Sequence, residues 1–278
     1  MKARHLALLS LLFVASSALA QEQNFFTRWE ARASATQALQ PKWIVPVIAP
    51  YPMLIQVFRS DFTRQISPTH VHTWNLGTSR GLNLIPFART EFDFFTPPFF
   101  EHSDTTKDGF GDWSMSAKYR IASGNETHGN YMLTAFVIAT VPTGSYKNGS
   151  TDASVNPTLS MGKGFGRFDV IANVGGTLPT GGTATTGRSV TTNTVAQYHV
   201  GKYLWPELEI NSTSWYGGTK DGKVQTFVTP GVMVGKYALH PHEAKSRTGL
   251  AAGFGFQTAA TTYHTYNHSL TFTGRFLF

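Results

Sequence analysis

Charged side chains in this chain sit at every second position inside stretches whose intervening positions are apolar. Lys118 and Arg120 alternate with Ala117, Tyr119 and Ile121, and Glu207 and Glu209 enclose Leu208. A period of two belongs to extended strand, so the charges share one face and the apolar residues the other. If the apolar face meets lipid, the charges must turn inward, because Arg or Lys facing the bilayer midplane costs about 2–4 kcal/mol. The inward set on this reading is Arg59, Asp61, Arg89, Glu91, Asp93, Asp112, Lys118, Arg120, Asp169, Glu207, Glu209 and Arg275. Such a set has two possible roles. It can form a charged constriction or ligand-contacting ladder along a passage, or a network of ion pairs that stiffens the wall of a narrow interior.

Other chemistry is less well supported. His70 and His72, His240 and His242 (beside Glu243), and His264 and His268 form pairs, but zinc needs three or four ligands at short range and no cysteine is present. No metal and no cofactor are therefore expected. Serines and histidines are common, yet no spacing between them singles out a nucleophile and its base, so the chain reads as no enzyme. A barrel lipase or deacylase remains the weakest alternative. Lys and Arg are scattered rather than clustered, which argues against a nucleic-acid partner.

The elements that would position the inward charges are strands of about ten residues. They fall near 54–64, 70–79, 84–95, 110–121, 130–142, 154–163, 167–178, 190–202, 206–216, 224–237, 247–258 and 267–278. In 110–121, Met115, Ala117, Tyr119 and Ile121 oppose Ser114, Ser116, Lys118 and Arg120. In 167–178 the pattern holds except at Ile171. About twelve such segments, each matching the nine to eleven residues of a tilted membrane strand, predict an all-β, antiparallel up-and-down transmembrane barrel over 53–278. An even count returns both chain ends to one side, expected to be the periplasm. Gly162-Lys163, Gly201-Lys202 and Gly235-Lys236 would each end a strand just before a turn on that side.

The first twenty residues predict export. Lys2 and Arg4 precede an apolar run from Leu6 to Val14 and a small-residue cleavage site at Ala18-Leu19-Ala20. Their removal would lower the formal charge from +7 to +5. Residues 21–52 differ in texture. Asn24 to Leu39 suits a short amphipathic helix, and Pro41, Pro46 and Pro50 then break regular structure. This segment is either a loose periplasmic leader or a small plug entering the barrel. The last strand ends on Phe278, and a terminal aromatic on such a strand resembles the signal read by the barrel-assembly machinery of Gram-negative bacteria.

Gly109-Phe110-Gly111-Asp112 followed by Lys118-Tyr119-Arg120, with Val141-Pro142-Thr143-Gly144 and Leu178-Pro179-Thr180-Gly181, resembles the outer-membrane protein family named for the MetA pathway of phenol degradation. The Gly162-Lys163 turn also fits, and the likeness spans roughly residues 53 to 278. It implies a transporter-like barrel in the bacterial outer membrane that passes small hydrophobic or aromatic compounds, with outer-membrane lipids as its surroundings. The expectation is a passive channel for such solutes. A structural or adhesive barrel without a transport path is the alternative.

Overall fold

Alternation of apolar and polar residues leaves a strand stable only when its polar backbone is paired on both sides and its apolar face is covered. A sheet that closes on itself meets the first condition without leaving an edge. A computed structural model describes residues 24–242 and 247–278. The predicted export leader 1–20 and Glu243 lie outside the described residues.

The strands are β1 (Val57–Ile66), β2 (His72–Phe87), β3 (Thr90–Phe95), β4 (Phe99–His102), β5 (Gly109–Phe110), β6 (Trp113–Gly124), β7 (Tyr131–Val141), β8 (Ser154–Phe165), β9 (Phe168–Pro179), β10 (Arg188–Tyr198), β11 (Leu204–Tyr216), β12 (Val224–Ala238), β13 (Gly249–Ala259) and β14 (His268–Leu277). Each pairs antiparallel with its neighbours, and β1 pairs with both β2 and β14, which closes the barrel. β3 and β4 are one stave interrupted at Thr96-Pro97-Pro98, because proline has no N–H to give the ladder. β5 and β6 form another, joined across Gly111-Asp112, where the Gly111 N–H donates to Pro98 at 2.8 Å. The barrel therefore has twelve staves.

The count agrees with the sequence, but boundaries differ in two places. The expected strand 84–95 contains a hairpin turn, and β2 runs unbroken from His72 to Phe87 before Ala88 and Arg89 reverse the chain. Arg89 takes a positive φ of 70° there, with no glycine, asparagine or aspartate to announce the turn. Asn83 and Ile85 before it and Glu91 and Asp93 after it are all buried odd-numbered residues, so the alternation passes through the turn in phase. Gly201-Lys202 likewise lies in the turn ahead of β11 rather than at the end of a strand.

An interior bounded by twelve strands is wider than wall side chains alone can fill, eight strands being the number that just suffices. Here the amino-terminal segment occupies the space. Helix α1 (Phe25–Ala38) is capped by Asn24, whose side chain accepts from the Thr27 N–H at 2.8 Å. From Gln40 to Gln56 the chain runs through the barrel without joining the sheet, and Val45, Val47, Ala49, Met53, Leu54 and Ile55 are buried. They pack against inward apolar residues of the wall, among them Val57, Ile85, Met132, Ile171, Val195 and Met233. Ile171, the exception to the alternation in its strand, is fully buried in this cluster. The buried stretch from Gln40 to Gln56 is called the plug below for its place inside the wall, while most of α1 is exposed. The plug also explains Gly162, where a Cβ would lie 2.5 Å from the Trp43 ring.

Candidate functional site

The plug backbone between Pro41 and Gln56 belongs to no helix or sheet, so its buried N–H and C=O groups need partners from elsewhere. Pro41, Pro46, Pro50 and Pro52 bring no N–H and reduce that demand. The inward charges of the wall meet the rest. Glu207, on β11, accepts from the Val47 N–H at 2.8 Å. Glu209, one pleat further along, accepts from Ile48 and Ala49 at 2.8 and 2.7 Å. Glu91 on β3 accepts from the Ile55 N–H.

Cations serve the carbonyls. Arg59 on β1 donates to Val47 at 2.6 Å, Arg275 on β14 to Val45 and Pro46, Lys118 on β6 to Met53 at 3.3 Å, and Arg120 to Thr36 at 2.6 Å. Neutral wall groups add two more, Asn173 to Pro50 at 2.9 Å and Thr134 to Pro52 at 2.7 Å. Hydrogen bonds with one ionised partner are shorter and stronger than neutral ones, so the Arg and Lys contacts are of the stronger kind.

Two buried ion pairs complete the clamp, Arg59 with Asp61 at 2.6 Å and Lys118 with Glu91 at 2.7 Å. Asp93 accepts from Asn83 at 2.6 Å, and the Lys118 ammonium lies 4.1 Å from the centre of the Tyr51 ring. Burial among plug and wall pushes the Tyr51 phenol above its ordinary value. Asp169 on β9 is buried opposite Gln197, which donates to Glu207 at 2.6 Å.

Ten of the twelve residues expected to face inward are therefore buried on the plug side of the wall. Two are not. Arg89 is exposed in the β2–β3 turn, as the hidden reversal dictates. Asp112 is half-buried at the break between β5 and β6, where it accepts from the Gly144 and Ser150 N–H groups at 2.9 and 2.7 Å and fastens the loop 142–153. Phe278 follows the end of β14, its N–H donating to Gln56 at 3.2 Å and its ring 6.1 Å from that of Phe276.

The half of the lumen away from the chain ends has different chemistry. Its inward residues on β8 to β14 are uncharged, and they hydrogen-bond across the strands. Asn211 donates to Asn193 at 2.6 Å, Gln257 to Asn211 at 3.2 Å, and Tyr266 to Gln257 at 2.5 Å. The Tyr266 ring stacks on Phe227 with centroids 4.3 Å apart, and desolvation raises its phenol above the ordinary value. This aromatic pair was not among the expected site residues. Tyr266 lies outside the period-two strands in a loop, so no local pattern marks it as an interior group.

The expected histidine pairs gather no third metal ligand among the described residues. His70 lies in the turn before β2 at a φ of 60°, and His264 bonds Thr261 and Asn267. Among the described residues no group of three or more His, Cys, Asp or Glu is arranged to hold a metal ion. Gly77-Thr78-Ser79-Arg80-Gly81 carries the letters of a nucleophile elbow, although the expectation was that no such motif occurs. It lies within strand β2 and not at a strand-to-helix turn, so the backbone geometry an elbow requires is missing.

No family model and no curated protein matches the chain. Among solved structures it is similar to an outer membrane channel from Pseudomonas putida F1, at 15% identity over 85% of this chain and 100% of that one, with a TM-score of 0.55. The NanC porin aligns over 80% of this chain and 98% of its own at 8% identity, with a TM-score of 0.48.

Proposed function

We propose that this barrel is an outer-membrane channel, closed in the described state by its own amino-terminal segment, that admits small apolar or aromatic solutes down their gradient when that segment yields. The carrying observation is the clamp. Wall charges engage the backbone of a segment that joins neither helix nor sheet over residues 41–56 and is held to the wall by side-chain hydrogen bonds. Membrane placement is supported by the outward residues Phe58, Phe62, Phe272 and Phe276, which are large, apolar and left exposed by the described residues. The fold shared with the Pseudomonas putida channel supports a channel-like barrel, and the resemblance to the family named for the MetA pathway supports the solute class. The plug has no folded domain of its own, so passive rather than energy-coupled uptake fits it.

The same burial favours one other reading, a structural barrel that never opens. Conductance of the refolded protein in planar bilayers, with and without aromatic solutes, separates the two. Intermittent conductance that responds to aromatic solutes is expected. Absence of conductance, together with equal aromatic uptake by deletion and parent cells, would transfer the assignment to the structural barrel.

A further inference from the structure

Arg64 lies on the outward face of β1, two residues beyond the exposed Phe62. In register it faces Trp74 on β2, which faces Glu101 on β4. The guanidinium sits 5.7 Å from the Trp74 ring centroid, and its Nη2 donates to His72 Nδ1 at 2.5 Å. Its Nε is shielded and has no hydrogen-bond partner among the described residues. Because His72 Nδ1 accepts, the neutral ring carries its proton on Nε2. Ser103 Oγ accepts from the His72 N–H at 2.9 Å and keeps its own O–H to donate. These groups, with Glu101 and His102, line a cleft of about 250 Å³ on the outside of the wall.

The next row of outward residues toward the chain ends is apolar throughout. Phe254, Phe272, Phe62, Leu76, Phe99 and Phe110 are successive cross-strand partners on β13, β14, β1, β2, β4 and β5. A cation with an unpaired donor beside an aromatic row matches an amphiphile with an anionic head. Aromatic rings gather where a barrel wall meets the headgroup level, and there an outward arginine costs only about 0–1 kcal/mol. The planar guanidinium fork fits phosphate oxygens, and a buried donor without a partner is unfavourable until a ligand supplies one.

We propose that this cleft binds the phosphate of an anionic lipid headgroup, with the acyl chains lying along the Phe62 row. The proposal rests on the membrane placement given above and is independent of whether the lumen conducts. Glu101 opposes the phosphate and weakens the site, so its neutralisation should strengthen binding.

The test uses the full-length protein refolded in detergent and titrated with lipid A bearing its two phosphates, with dephosphorylated lipid A and inorganic phosphate as separate arms. Arg64→Gln should weaken phosphorylated lipid binding about tenfold or more, Glu101→Gln should tighten it, and dephosphorylated lipid should bind as weakly as the Arg64 variant does. Equal affinity of wild type and Arg64→Gln would overturn the proposal. So would displacement of the lipid by inorganic phosphate at equal concentration, which would leave an ion site only. Should Arg64→Gln lose its heat-modifiable mobility, Glu101→Gln and Trp74→Leu decide the matter, and unchanged affinity in both refutes it. Recovery of the protein in outer-membrane fractions tests the membrane placement separately.

Discussion

Replacing Glu209 with alanine should loosen the plug while leaving the barrel closed. Glu209 accepts from two consecutive plug N–H groups, at 2.8 and 2.7 Å, in a position with no measurable exposure. Removing the carboxyl group leaves two buried N–H groups without a partner, at about 1–3 kcal/mol each, so the plugged state loses about 2–6 kcal/mol. Relaxation of the plug around the smaller alanine places the net effect in the lower half of that range. At about 1.4 kcal/mol per tenfold, a loss of about 3 kcal/mol raises the unplugged population roughly 100-fold.

The chain has no cysteine, so a single cysteine at Ala49, a fully enclosed plug residue, reports that population by its rate of labelling with a water-soluble maleimide. With reclosing fast relative to labelling, the rate follows the open population. Glu209→Ala should accelerate labelling by about two orders of magnitude, with heat-modifiable mobility unchanged. An identical labelling rate in the two backgrounds would refute the idea that the wall carboxylates retain the plug.

Leu54→Ala should also speed labelling of the plug, since truncating a fully buried leucine costs about 2–5 kcal/mol, and the temperature at which the barrel loses its folded mobility should hold. Cysteines at Met115 and Ala117 should react with lipid-soluble probes and one at Ser114 with water-soluble ones. A cysteine at Ser116, buried beneath the plug, should stay protected until the plug is loosened. Arg120→Ala frees the Thr36 carbonyl and should raise channel opening in bilayers, whereas Arg89→Ala, in an exposed turn, should leave it unchanged. Deleting Phe278 should reduce the folded barrel recovered from membranes without reducing export, as read by leader processing.

What the sequence determined by itself is the wall. A period of two is a local property, so Met115 through Ile121 and His268 through Phe278 declare their faces without knowledge of any neighbour. Closure follows once every strand needs two paired edges. The inward placement of Arg59, Lys118, Glu207 and Arg275 follows from the same phase. Where the local signal is silent, the reading failed. Ala88 and Arg89 turn the chain without a turn-forming residue, and the alternation continues in phase across them, so Arg89 was placed on the wrong surface.

Only the tertiary structure decided what the inward charges are for. Whether Glu209 meets water, a lysine or a backbone N–H depends on residues about 160 positions away in the chain, and nothing in either segment alone encodes that meeting. The clues were present singly: prolines thinning the donors of residues 41–52, and Ile171 out of phase in a polar face. They become one explanation when the plug and the wall share a space. A lumen twelve strands wide must be filled or flooded, and here it is filled by chain whose unpaired backbone requires the charges that the wall presents.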